Sequence, residues 1–250
     1  MPPITFTPGS PNWLTLAAPD LAAAAEFYRT VLGWRFDPAT GLFALDGRAV
    51  AGAARPGAEA PTWHVHFHTP DADATSEAVV RAGGTVRTAP AEVPGLGRTA
   101  HFADPSGATF AVLQPVGRAG FDAVATPGAL NRTELYTTDA ASARTFYQAV
   151  FGWQLTEKPF PGLLYLGFAP AEESHPADRG GIMQLPQANL DAGSTPEWHP
   201  YFTVTDCDAA LAAAAEGGAV VLIPAMDVPT VGRMGMFVDP QGAVLAVLQP

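Results

Sequence analysis

The sequence states one pattern twice, so any fold open to it is built from duplicated parts. Asp20, Phe27-Tyr28, Val31 and Gly33-Trp34 return as Asp139, Phe146-Tyr147, Val150 and Gly152-Trp153, displaced by 119 positions. Gly97-Arg98, the turn Asp104-Pro105-Ser106-Gly107-Ala108 and the ending Val112-Leu113-Gln114-Pro115 also return. Their copies are Gly232-Arg233, Asp239-Pro240-Gln241-Gly242-Ala243 and Val247-Leu248-Gln249-Pro250, displaced by 135. Repetition of this kind marks copies of one structural unit packed together. The displacement grows by 16 between the landmarks, so the second copy carries extra chain. The stretch Ala169 to Arg179, with two prolines and three acidic residues, reads as the inserted loop. The repeat divides the chain into a domain over residues 1–117, a linker over 118–128 and a domain over 129–250.

Local signals agree between the copies. A short stretch (Trp13–Ala17; Arg132–Thr137) reads as a strand that runs into an Asp able to cap a helix. The helix sets Phe27, Val31 and Leu32 at helical spacing and stops at Gly33, the residue best suited to a left-handed C-cap. Short segments follow at Leu42–Leu45 and Ala49–Ala54, and at Leu163–Phe168 and Gly181–Leu185. A further strand opens at Trp63 or Trp198, and a second Asp-led helix covers Ala72–Ala82 or Asp208–Glu216. Two strands joined by Asp-Pro-x-Gly turns close each copy. The spacing predicts strand–helix–strand–strand–strand four times over, an α+β fold. Phe27, Tyr28, Phe146 and Tyr147 are expected to pack rather than to touch a ligand, and so are Trp34 and Trp153.

Composition removes several function classes. A net charge of −11 with a single lysine, Lys158, leaves no basic stripe for nucleic acid or an anionic membrane surface. One cysteine, Cys207, excludes an internal disulfide framework and a cysteine-based zinc site. Its neighbours Asp206 and Asp208 work against a reactive thiolate. No apolar run reaches the roughly 18 residues that span a bilayer, and the first residues do not form a secretory signal. A cytoplasmic protein is expected. The nucleophile-elbow, dinucleotide and phosphate-loop motifs are absent from the sequence.

The motifs Phe27-Tyr28-x-x-Val31-x-Gly33-Trp34 and Asp104-Pro105-x-Gly107-Ala108, with their second copies, resemble those of the vicinal oxygen chelate superfamily. This is the superfamily of glyoxalase I, bleomycin-resistance proteins and extradiol dioxygenases. The resemblance covers essentially the whole chain. It implies four βαβββ units paired into two curved-sheet glyoxalase-like domains, each around a cavity. In the superfamily's enzymes, it also implies a divalent metal held from the first strands and a last strand.

Those ligand positions, carried over one at a time, fall on Trp13 and Arg132, on His64 and His199, and on Ala111 and Ala246, where a Glu is usual. Tryptophan, arginine and alanine offer a divalent metal no donor, so no cofactor is expected. The remaining route to a metal is the alternating set His64, His66 and His68, which share one strand face. Of these, His64 and His66 with His101 would be the ligands.

Without metal, each half is expected to line its own apolar, aromatic cavity, suited to a planar organic ligand. The first half contributes Trp13, Thr15, Trp63, His64, His66, His101 and Leu113. The second contributes Arg132, Glu134, Tyr136, His199, Tyr201 and Met236. Arg132 and Glu134 lie about 7 Å apart along one strand. Arg132 is suited to hold a carboxylate or phenolate, and Glu134 to move a proton. Alternatively the two form a structural ion pair. Arg98 and Arg233 are expected to brace the loops before the last hairpins.

The leading expectation is a metal-free binding protein for an aromatic or polycyclic natural product. It would act in antibiotic resistance by sequestration or as an accessory to biosynthesis. Two alternatives belong to the enzyme class: a lyase, isomerase or dioxygenase using metal on His64 and His66, or metal-free acid–base chemistry through Arg132 and Glu134. The partner is then a small aromatic molecule, and the protein a monomer or homodimer.

Overall fold

The structure, a computed structural model, describes residues 4–56, 60–160, 162–171 and 180–250. The first half supplies β1 (Pro11–Ala17), α1 (Leu21–Leu32), β2 (Arg35–Asp37), β3 (Leu42–Leu45) and β4 (Arg48–Ala54). It continues with β5 (Thr62–His68), α2 (Ala72–Arg81), β6 (Thr85–Val93), β7 (Gly97–Ala103) and β8 (Thr109–Pro115). The second half repeats this order with β9 (Leu130–Thr137), α3 (Ala140–Phe151), β10 (Gln154–Phe160), β11 (Leu163–Ala169) and β12 (Gly180–Gln184). A short helix, α4 (Gln187–Asp191), precedes β13 (Glu197–Thr203), α5 (Cys207–Glu216), β14 (Val220–Val228), β15 (Gly232–Val238) and β16 (Val244–Gln249). Each half forms one eight-stranded sheet, in the orders β2-β3-β4-β1-β5-β8-β7-β6 and β10-β11-β12-β9-β13-β16-β15-β14. The fold is α+β, with four βαβββ units. Among the described residues no helix is long and apolar enough to cross a membrane.

Strand register locates the extra chain of the second half. Thr15 pairs with Gly52, and Glu134 pairs with Gly181. The displacement is therefore 119 at the first strand, 129 at β4 and β12, and 135 at His64 and His199. Of the 16 extra residues, 10 precede β12, and residues 172–179 of the expected loop lie outside the described residues. The rest lies between β12 and β13, where α4 forms.

The helices start and stop as their end residues dictate. Asp20 accepts hydrogen bonds from the backbone N–H groups of Ala22 and Ala23, and Asp71 from those of Asp73 and Ala74. Asp139 and Asp206 each accept one, from Ser142 and Ala209. Each bond satisfies a donor that the first helical turn leaves without an intrahelical acceptor. Gly33 and Gly152 end α1 and α3 at φ 75° and 68°, the left-handed region that an L side chain enters at a cost.

The chain divides into two compact units, and each unit draws on both halves of the sequence. One comprises residues 1–13, 65–120 and 133–198; the other comprises 14–64, 121–132 and 199–250. In the second unit, Tyr28 of α1 donates a 2.8 Å hydrogen bond to Asp239 of the second Asp-Pro-x-Gly turn and accepts one of 3.2 Å from Trp63 Nε1. In the first unit, Tyr147 of α3 donates to Asp104 of the first such turn at 3.2 Å and accepts from Trp198 Nε1 at 2.9 Å. The two repeated motifs are thus one interaction, made reciprocally: the tyrosine of each half bonds the turn aspartate of the other. The turn aspartates also hold their own turns. Asp239 Oδ1 accepts the backbone N–H groups of Gln241, Gly242 and Ala243, and Asp104 Oδ1 those of Ser106 and Ala108. Burial first, and then the facing carboxylate, pushes both phenols well above their ordinary range. Burial also raises Asp104, against the hydrogen bonds that favour its anion.

Aromatic rings fill the space around these bonds. In the second unit Tyr28, Trp34, Phe43, Trp63 and Phe202 pack with centroids 5.2–5.8 Å apart along Tyr28–Trp34, Tyr28–Phe43, Trp34–Phe202 and Trp63–Phe202. In the first, Trp153 stacks on Phe168 at 4.0 Å and on Tyr147 at 4.9 Å. The helix aromatics and the tryptophans after the helix-ending glycines are core, as their spacing predicts.

The segment over 118–128 is tied down. Asp122 bonds both backbone groups of Ala49, and Trp34 Nε1 donates to the Gly128 carbonyl at 2.6 Å. Arg98 and Arg233 each grip the first turn of a helix, on Asp73 and Asp208, both at 2.6 Å, and also reach across the preceding loop to Glu92 at 3.6 Å and Asp227 at 3.1 Å.

Candidate functional site

The ligand positions that the resemblance implies lie on the first and last strands of the βαβββ units, so the rows of residues across those strands define the candidate surfaces. In the first unit, β9, β12 and β11 align Glu134 with Gly181 and Gly167. The next row on the same face aligns Tyr136, Met183 and Tyr165. Tyr165 leans across from its own row and donates a 2.7 Å hydrogen bond to Glu134 Oε1, with both side chains buried. The approach depends on Gly181: a Cβ there would fall on Cζ and Oη of the Tyr165 ring. Phe160 packs edge-on against that ring, centroid to centroid 5.1 Å. Sequence reasoning selected Glu134 and Tyr136 but missed Tyr165. A glycine inside a strand signals a close approach, and the Gly180-Gly181 pair was the available clue.

Also in the first unit, β5, β8 and β7 align His66, Ala111 and His101. The two imidazoles flank the alanine with ring centroids 5.7 Å apart, edge to face. His68, Leu113 and Thr99 form the adjacent row. Burial lowers the pKa of His68. In the second unit the corresponding rows are Tyr201, Ala246 and Met236, then Thr203, Leu248 and Met234. His199, two residues before Tyr201 on β13, is buried, and loss of hydration pulls its pKa down to about 4. It is a neutral imidazole at physiological pH.

The other expected residues fall as follows. Trp13 is buried on β1, and Thr15 sits opposite Gly52, which in turn faces Leu42 on β3. His64 is buried on β5, and Arg132 is half-buried on β9. Trp63 does not join the ligand face. Strand alternation puts it opposite His64 and His66, among Tyr28, Trp34 and Phe202 of the second unit's core. Cys207 is buried at the start of α5. Burial chiefly, then Asp208, raises its thiol pKa.

The divalent metal implied by the resemblance can be tested on these donors. Among the described residues no three His, Cys, Asp or Glu side chains come together as a metal requires. His66 and His101 are a pair of imidazoles whose intervening position, where a carboxylate would complete a set, is Ala111. The equivalent position in the second unit is Ala246, between a phenol and a thioether. This donor set does not fit the metal.

Comparison with known proteins agrees with the fold. Residues 13–113 match the family model described as a glyoxalase-like domain. Residues 129–247 match that of the glyoxalase/bleomycin resistance protein/dioxygenase superfamily. The chain belongs to this superfamily, the vicinal oxygen chelate group, as a tandem member. Among its relatives is the anthracycline biosynthesis protein DauV of Streptomyces sp. strain C5, 36% identical over 98% of this chain and 94% of that protein. CFP32 of Mycobacterium tuberculosis is also 36% identical, over 98% of this chain and 96% of its own. The crystal structure of the Mn(II)-bound glyoxalase from Novosphingobium aromaticivorans shares the fold. Its TM-score is 0.66 at 19% identity, with 97% of this chain and 82% of that one covered.

Proposed function

We propose that this protein binds a planar aromatic molecule of the anthracycline kind, without a resident metal, as an accessory to its biosynthesis. One observation carries the reading. The position of the superfamily's carboxylate ligand is alanine in both halves, and the flanking residues are rings and a thioether: His66 and His101 about Ala111, Tyr201 and Met236 about Ala246. An alanine between such groups leaves room and apolar contact for a flat ring where a metal carboxylate would stand. The name of the Streptomyces relative, an anthracycline biosynthesis protein, supports the class of ligand. Binding of this kind would also withdraw a toxic ligand from solution by mass action.

The test is a fluorescence titration of the protein with a tetracyclic anthracycline aglycone. Saturable binding in the micromolar range, weakened about tenfold by Tyr201→Ala, supports the reading. An absence of binding refutes it.

A second reading, metal-free acid–base turnover, is favoured by the buried Glu134 carboxylate that Tyr165 holds in place. Glu134 would take a proton from an enolisable ligand and return it at another carbon, an isomerisation. Turnover abolished by Glu134→Gln, with affinity retained, would support it.

A further inference from the structure

Three of the four βαβββ units make the same bond at the start of their helix. A glutamine near the end of the last strand accepts the first helical N–H: Gln114 from Ala72 at 3.1 Å, Gln184 from Ala140 at 2.9 Å and Gln249 from Cys207 at 3.1 Å. In the fourth unit, the displacement of 129 between β4 and β12 puts Arg55 at this position. Arginine carries no acceptor and cannot make the bond, so the repeated fold does not account for it. The departure is not isolated. Gln148 and Gln154 of the second half correspond, at the displacement of 119, to Arg29 and Arg35. All three arginines line one groove of about 1070 Å³, in a chain whose net charge is −11.

The groove lies within the second compact unit and is lined by residues 20–55. Ala22 and Ala25 of α1 and the Phe36 ring of β2 give it apolar walls, and Phe36 is held against Phe43 at 5.0 Å. Its two carboxylates are already committed. Asp20 caps α1, and Glu26 accepts Nε and Nη2 of Arg29 at 3.0 and 2.6 Å. Three guanidinium groups are thus set against two engaged carboxylates. The volume is at the upper end of the roughly 300–1,000 Å³ of small-molecule pockets.

We infer that this groove is a second ligand site, for a small organic anion whose flat apolar body lies against Phe36 and α1 and whose carboxylate is held by Arg35 and Arg55. A guanidinium fork matches a carboxylate in charge and in geometry. An uncharged ligand of the same shape keeps the apolar contact and loses the charged hydrogen bonds. The groove shares no residue with the alanine-centred rows and does not depend on what they bind.

The experiment measures dissociation constants of 2-naphthoate and 2-naphthamide against the full chain by calorimetry at low salt. The wild type should bind naphthoate about tenfold more tightly than the amide. Arg35→Gln and Arg55→Gln, which install the residues of the second half, should each weaken naphthoate about threefold, and the double variant should bring the probes within about twofold. Amide binding should not change in these variants, and about 0.5 M salt should remove the preference. Arg81→Gln takes a cation from an exposed site on α2 and should leave every constant unchanged. Arg35 and Arg55 are exposed, and circular dichroism reports whether their variants keep the fold. Equal binding of the two probes by the wild type, or a preference that survives the double variant, refutes the site. A preference lost in Tyr201→Ala instead would place the anion at the alanine-centred rows and refute it as well. Failure of naphthoate to bind also refutes it, without bearing on the anthracycline titration; a dimer that Phe36→Asp breaks into monomers would then give the groove to a second copy of the chain.

Discussion

Lowering the pH should destabilise the protein in part through His199. Its imidazole is buried on β13 and protonates only near pH 4 in the folded chain, against 6.5 for an ordinary histidine. Between those values the unfolded chain binds a proton that the folded chain refuses, so stability rises with pH across the window and is lost as pH falls through it. Each pH unit of that gap is worth about 1.4 kcal/mol, which makes the full loss about 3 kcal/mol. Urea unfolding from about pH 7.5 to about pH 4.5 would measure it. The wild type carries every titrating group, so the informative quantity is its difference from His199→Gln. That difference should be flat above about pH 7 and shift by about 2–3 kcal/mol in favour of the variant by about pH 4.5. Parallel stability curves for the two proteins would refute the burial argument.

Two further perturbations test the fold and the donor set. Tyr28→Phe and Asp239→Asn should each cost about 1–3 kcal/mol in urea unfolding, and the double variant clearly less than their sum, because both remove one buried hydrogen bond. Additive losses would show that the pair is not coupled. Ala111→Glu should create a carboxylate between His66 and His101 and let the chain retain about one divalent ion through gel filtration, as elemental analysis would show. Unchanged metal content in that variant would mean that the imidazoles are not disposed as donors.

Much of the fold was legible because the sequence states it twice. Asp20, Asp139 and the helix-ending glycines mark the same boundaries in each copy, and the Asp-Pro-x-Gly turns mark the last hairpins. The pairing of Tyr28 with Asp239, and of Tyr147 with Asp104, was not legible: a repeat shows that two residues recur, and not which copies meet. The strand rows of the candidate site were legible, since period-two alternation fixes which residues share a face. The same alternation already separates Trp63 from His64. Tyr165 escaped because its part in the site depends on leaning out of its own row across Gly181, a tertiary approach that periodicity does not encode. The depressed pKa of His199 escaped for a related reason, because depth of burial is set by packing rather than by composition.

The most direct test of the account is the dissociation constant of a tetracyclic anthracycline aglycone, measured on untagged protein with and without a strong chelator. Saturable micromolar binding that is the same in both conditions is the predicted result. Binding that disappears with the chelator and returns with an added divalent ion would contradict the account.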